Sequence, residues 1–205
     1  MRQQRLTDHP AGRGRLLLAF MLSALSVVAG ANEPHYVGWK ACEMCHKDET
    51  ADWLRSKHGK AFELLKPGNR HKAKKNAKLD PDKDYTVSTE KCVGCHTTGF
   101  KKPGGFVDTA TTPEMVGIQC EACHGPGSEY RIIHKSKRTE FKRDEVKAVG
   151  QTYGSENDEV CRRCHEHKDT PMLPSVDEKY KFDWKERLKD ARAFHRYYDV
   201  LKDHR

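Results

Sequence analysis

The chain has 205 residues, 38 Lys and Arg against 30 Asp and Glu, a formal net charge of +8, 12 His and eight Cys. Only 36% of residues are hydrophobic, 33% are charged and the mean hydropathy is −0.91. That excludes a polytopic membrane protein and a conventional single-core α/β enzyme, because side chains alone supply too little apolar mass for a core. A disulfide scaffold is excluded too, since all eight Cys fall in closely spaced pairs.

Arg2, Arg5, Arg13 and Arg15 precede an uncharged apolar run, Leu16 to Ala29, and Ala29-Gly30-Ala31 is a small-x-small site. Residues 1–31 are therefore expected to be a signal peptide cut after Ala31. The run is short of the roughly 20 residues of a spanning helix, which disfavours a retained anchor. No other segment is apolar enough to span, so the exported chain has no transmembrane segment and is expected in the periplasm. Those four Arg leave together with Asp8, so residues 32–205, read as a single domain, keep a net charge of +5.

Cys42-Glu43-Met44-Cys45-His46 is the first of four CxxCH motifs. From Lys47 to Lys66 the positions Leu54, His58, Phe62 and Leu65 recur at helical spacing, predicting one helix with His58 facing inward, ended by Pro67-Gly68. Asn69 to Asp84 is Lys-rich and turns through Asp80-Pro81-Asp82, so it reads as a solvated, partly helical connector. The second motif is Cys92-Val93-Gly94-Cys95-His96, and Thr97 to Gly117 follows as loop with a short hairpin about Phe106 and Val107. After the third motif, Cys120-Glu121-Ala122-Cys123-His124, and the turn Gly125-Pro126-Gly127, Ser128 is placed to cap a helix carrying Tyr130, Ile133 and His134 on one side. Residues 135–159 read as surface with a short helix at Asp144 to Ala148. The fourth motif is Cys161-Arg162-Arg163-Cys164-His165. A last helix is predicted from Asp183 to Lys202, with Trp184, Leu188, Ala191, His195 and Tyr198 on one stripe. Motif starts are 50, 28 and 41 residues apart, so no repeat architecture is indicated. The expected fold is mostly α, an irregular multihaem c-type arrangement in which haems form the core and long loops join the helices.

The spacing within each motif has a chemical reason. Two thiols add across the two vinyl groups on one edge of a haem, and the adjacent His gives a ring nitrogen to the iron. Two zinc sites of four thiolates each would ask for no His at the fifth position, and four such histidines by chance is on the order of one in a hundred thousand. A thioredoxin-like motif lacks its βαβ setting. Cys42, Cys45, Cys92, Cys95, Cys120, Cys123, Cys161 and Cys164 thus read as attachment points for four covalently bound haems c, with His46, His96, His124 and His165 as proximal ligands.

Apart from His9, seven histidines remain. His71 lies in a Lys run, His167 follows His165 too closely, and His35 and His204 lie near the chain ends. His58, His134 and His195 sit on apolar stripes and are the candidate distal ligands. Three ligands for four irons leave one haem open, with Met172 or His35 able to fill the gap.

Over nearly the whole mature chain the sequence resembles the tetrahaem cytochrome c-554 family of ammonia-oxidising bacteria. The resemblance rests on Trp53 to Ala61 with Ser56-Lys57-His58, Lys78-Leu79-Asp80-Pro81, Lys83-Asp84-Tyr85-Thr86, Cys92 to His96, Cys120 to Gly127, and Val176-Asp177 with Lys179-Tyr180. It implies three low-spin bis-histidine haems using His58, His134 and His195, and a five-coordinate high-spin haem on His96. It also implies haems stacked first with third and second with fourth, as in hydroxylamine oxidoreductase. Ligands are implied to cross between motifs, His58 serving the iron of His124, His134 that of His46 and His195 that of His165. Where the family has Thr-Pro-Phe beside the open haem, this chain has Thr170-Pro171-Met172, and Met is itself an iron ligand elsewhere.

The function implied is electron transport in nitrification: a periplasmic carrier between a hydroxylamine oxidoreductase-like multihaem enzyme and a membrane quinone reductase or another cytochrome. The alternative is reduction of a small ligand, nitric oxide, at the haem of His96. Net positive charge, with Lys72, Lys74, Lys75 and Lys78 clustered, suits redox partners with an acidic docking surface and a monomeric protein, with no role for nucleic acid.

Overall fold

Short helices joined by turns and loops are what this composition allows, and the structure, a computed structural model, shows them over residues 33–87, 90–138, 140–190 and 193–196. The signal peptide assigned to residues 1–31 lies outside the described residues. The helices are α1 Lys40–Glu43, α2 Lys47–Arg55, α3 His71–Asn76, α4 Glu90–His96, α5 Cys120–His124, α6 Tyr130–Lys137, α7 Arg143–Lys147, α8 Glu159–His165 and α9 Trp184–Leu188. Three 3-10 turns lie at Ala61–Leu65, Pro113–Met115 and Glu178–Tyr180. Among the described residues there is no sheet, only an antiparallel bridge between Thr97 and Val116, and no helix is long and apolar enough to cross a membrane.

Two of the expected helices are shorter than their periodicity suggests. α2 opens with Asp48 and Glu49 in its first turn, where carboxylates complement the helix dipole, but it stops at Arg55. Ser56 turns extended, and its hydroxyl accepts from the Gly59 N–H at 3.0 Å, a local bond that competes with the helix. Gly59 then packs so closely that a Cβ there would lie 2.2 Å from the Trp53 carbonyl oxygen. The chain resumes as a 3-10 turn, so His58 sits in the turn between two helical pieces. The last helix, expected to reach Lys202, ends at Leu188. Beyond it, long-range bonds replace helical ones: Lys57 pairs with Asp190 at 2.8 Å, the His58 N–H donates to Ala193 O at 3.1 Å, and Arg196 Nε meets Asp52 at 2.9 Å. His195 therefore lies on a segment laid against α2 and the His58 turn; Ala191 and the part of the expected helix from Tyr198 to Lys202 lie outside the described residues.

α6 and α7 fall where the sequence places them, although Ser128 does not cap α6 but accepts from the His35 N–H at 2.9 Å. The hairpin about Phe106 is absent as strands. Its residues fold back as loop, with Phe106 N–H donating to Thr98 O at 2.9 Å, and Gly105 lies where a Cβ would meet Gly99 O at 1.8 Å.

The side-chain core is small, as the composition requires. Phe62, Leu65, Tyr85, Val93, Phe106 and Met115 form one cluster, and Tyr130, Phe141 and Val146 another. Buried polar groups do much of the remaining organisation. Glu121, 1% exposed, accepts from the N–H groups of Val37, Gly38 and Gly127 at 2.6–3.1 Å, tying the segment before α1 to the third motif. Burial pushes its carboxyl pKa up, against the pull of those three amides. Glu121→Ala leaves three buried donors without a partner and is expected to cost about 3–5 kcal/mol. At roughly 2–4 °C per kcal/mol for a domain of this size, the holoprotein should melt about 10 °C lower, while Glu121→Gln, which still accepts, should lose much less.

Candidate haem-binding centre

A CxxCH sequence on helical backbone puts both thiols on one face, three residues apart, with the His at the end of the same turn. α4, α5 and α8 each finish on their motif histidine, and in the first motif the His46 N–H closes a helical bond to Cys42 O at 3.0 Å. None of the eight cysteines is in a disulfide. They line one connected cavity of about 1970 Å³, together with His46, His96, His124, His165, His58, His134, His195, Thr170, Pro171 and Met172. A pocket for a single small ligand runs to roughly 300–1,000 Å³, so this space suits several large groups.

The motifs meet in a definite order. Cys42 and Cys120 lie close enough to influence each other, the neighbouring thiol lowering the Cys42 pKa and, with burial, raising that of Cys120. Cys95 and Cys164 influence each other in the same way, Cys95 being raised and Cys164 lowered, with Arg163 adding to the latter. Cys123, pushed up to about 11 by burial, also feels Cys161, and Arg163 Nη2 donates to Ala122 O between α8 and α5. The first motif thus lies against the third, the third against the fourth and the fourth against the second. Among the described residues no group of three or more His, Cys, Asp or Glu is arranged to hold a bare metal ion.

Two motif histidines have their ring tautomer fixed by a backbone carbonyl. His96 Nδ1 lies 2.7 Å from Ala61 O and His124 Nδ1 3.3 Å from Thr152 O. A carbonyl only accepts, so Nδ1 carries the proton and Nε2 keeps its lone pair, the usual arrangement behind a metal-bound imidazole. Burial lowers the pKa of His124 and of His58 to about 4, and it also lowers those of His96, His134 and His165. His58 Nδ1 is buried with no hydrogen-bond partner among the described residues. His195 Nδ1 donates to Arg196 O at 2.7 Å, while His134 uses Nε2 toward Gln151 Oε1 at 3.0 Å and stacks on Phe141 at 4.3 Å. Phe182 stacks on His165 at 4.6 Å. Neither Gln151 nor Phe182 carries a signal in the sequence; each is found only by its contact.

Each candidate distal histidine comes up to a motif histidine, though not always the expected one. The ring centres of His58 and His165 are 6.0 Å apart, and those of His124 and His195 are 6.4 Å apart. His134 lies within electrostatic reach of His46. Two imidazoles on opposite sides of one metal, with metal–nitrogen bonds of about 2 Å, place their centres about 6 Å apart. By ring contact His58 lies beside His165 and His195 beside His124, whereas the resemblance implies His58 for the iron of His124 and His195 for that of His165. The broken helix sets His58 beside the segment after α9. No other imidazole touches that of His96 among the described residues. The residues fit c-type haems: paired thiols along one cavity, imidazoles facing each other at ligation distance, and a buried ring nitrogen lacking a partner.

A family model described as cytochrome c554 and c-prime matches residues 41–125. Cytochrome c-554 of Nitrosomonas europaea is 35% identical over 203 residues, covering 90% of this chain and 85% of that protein. The structure titled as the reduced state of cytochrome c554 from Nitrosomonas europaea superposes with a TM-score of 0.73 at 36% identity, covering 81% of this chain and 87% of the other. The chain belongs to the cytochrome c554 family and is a c554-like multihaem electron carrier with c-type haems.

Proposed function

We propose that the chain carries four haems c in the periplasm, taking electrons from a hydroxylamine oxidoreductase-like multihaem enzyme and delivering them to a membrane quinone reductase or another cytochrome. Each bound haem supplies one-electron exchange between ferric and ferrous iron. The chain's own residues do the rest. The four cysteine pairs would anchor the haems, His46, His96, His124 and His165 would be their motif ligands, and His134, His195 and His58, placed near His46, His124 and His165, would be further ligands. The observation that carries the reading is one connected cavity lined by all four cysteine pairs, by the four motif histidines and by His58, His134 and His195. Haems held side by side in it would offer an entry and an exit for electrons. Haem counting by mass, followed by stopped-flow reduction with a multihaem oxidoreductase, tests it. Four haems and full reduction are expected, and fewer than four haems would refute the tetrahaem reading.

Charge supports a negatively charged partner. Arg70, His71, Lys72 and Lys179 surround a surface pocket of about 350 Å³, and Arg70, Ala73 and Lys179 also line the large cavity, so this cationic patch lies at its mouth. The double substitution Lys72→Glu, Lys75→Glu is expected to slow second-order electron exchange with an acidic redox protein about tenfold at low salt. The difference should fade as ionic strength rises toward a Debye length of about 8 Å. A rate that stays at the unmodified value at low salt would remove the patch from docking.

One observation favours a second activity, reduction of nitric oxide at the His96 site: His165 and His124 each have an imidazole ring beside them at 6.0 and 6.4 Å, whereas His96, although within electrostatic reach of His58, has no such ring contact among the described residues. Met172 decides whether that position is open. Half-buried on the cavity wall, its N–H donates to Thr170 Oγ1 at 3.4 Å. Met172→Leu is expected to leave one high-spin haem in four by EPR. Four low-spin haems in the unmodified protein, one turning high-spin in Met172→Leu, would make Met172 the ligand and leave electron transfer alone.

A further inference from the structure

Lys74 departs from the Lys-rich, solvated connector the sequence suggests. It is 3% exposed, and its Nζ donates to Lys66 O at 2.7 Å, reaches Pro81 O at 3.5 Å and lies 5.3 Å from the centre of the Tyr85 ring. An ammonium has three donors, and a 3.5 Å contact lies beyond the usual hydrogen-bond range. Among the described residues no carboxylate forms an ion pair with it. Asp84, the acidic group that senses it, is exposed and engaged by the Thr86 N–H and hydroxyl at 2.8 and 2.6 Å. A buried charge without a counter-charge is strongly destabilising, and since no described carboxylate pairs with it, a carboxylate carried by a bound group suits the position.

The surroundings identify which motif it serves. Lys74 lines the large cavity. Tyr85 and Leu65, beside it, belong to the cluster that holds Val93 of the second motif, with Cys92 and Leu79 packed against it. The 3-10 turn that ends next to Lys66 also supplies the carbonyl bonded to His96, from Ala61. A haem held by thiols along one edge carries two propionate carboxylates on the other. We propose that Lys74 is the buried counter-charge for a propionate of the haem held by Cys92, Cys95 and His96, and that its positive charge raises the reduction potential of that haem. This rests on the four-haem reading above. The sign is that of simple electrostatics: reduction adds an electron, and a nearby cation favours it.

The test uses the holoprotein with Lys74→Met, Lys74→Gln and Lys74→Arg. Mass analysis of the peptide containing Cys92 and Cys95 comes first, then a spectroelectrochemical titration of the whole protein. Both neutral variants are expected to lower the midpoint potential of the His96 haem while the other three stay in place, and Lys74→Arg is expected to stay near the unmodified value. Lys74→Gln keeps a donor for Lys66 O, so it carries the test if Lys74→Met fails to accumulate. Four haems with all potentials unmoved in Lys74→Gln, or a shift spread equally over all four, would overturn the assignment and leave Lys74 a structural residue. A peptide without haem on Cys92 and Cys95 in the unmodified protein would instead overturn the four-haem reading, and the role of Lys74 with it.

Discussion

Replacing all eight motif cysteines by serine is expected to abolish the cooperative unfolding transition. The described residues bury two small apolar clusters around a cavity of about 1970 Å³. That space is large beside the clusters that flank it, and folded domains are stable by only about 5–15 kcal/mol, so the apolar surface of the bound haems is needed to hold the shape. The chain cannot keep this shape around a void. Urea titration followed by far-UV circular dichroism should show a gradual, non-cooperative loss of helix in the serine variant and a sharp transition in the holoprotein. A sharp transition in the serine variant would mean that the side-chain clusters suffice, contrary to the composition and to the cavity.

The residues that bring chemistry were legible because their spacing is chemical. Cys-x-x-Cys-His states its own geometry, and the three histidines chosen from apolar stripes all reach the cavity wall. The route by which two of them get there was not legible. Periodicity says which positions share a face if the helix continues, and it carries no information on whether Ser56 and Gly59 will interrupt it. Nor does it register Asp52, Lys57 and the His58 N–H, which hold Arg196, Asp190 and Ala193 by bonds between residues more than 130 positions apart. His58 and His195 were thus found for a partly incidental reason: an inward-facing helical residue and a residue in a buried turn leave the same apolar neighbours in the sequence. Lys74 shows the converse, since a buried lysine among exposed ones looks the same as they do in composition.

The ring contacts of His58 with His165 and of His195 with His124 make the second large prediction. His58→Ala is expected to raise the high-spin count from one haem to two in four by EPR, and the new high-spin haem should be the one on Cys161 and Cys164, because the His58 ring faces His165 at 6.0 Å. His195→Ala should do the same to the haem on Cys120 and Cys123, since that ring faces His124 at 6.4 Å. Two backgrounds distinguish the assignments. Removing the fourth haem with Cys161→Ser and Cys164→Ser should erase the new signal of His58→Ala but keep that of His195→Ala, and removing the third haem should do the reverse. Added imidazole should restore the low-spin spectrum in both variants by entering the space the ring leaves, as a purely structural defect would not allow. Burial also holds the His58 ring neutral down to about pH 4, below the ordinary range, so protonation does not compete for its nitrogen at neutral pH and the low-spin signal should persist as pH falls to about 5. The opposite background dependence would return His58 to the iron of His124, and the His58–His165 contact would then be packing alone.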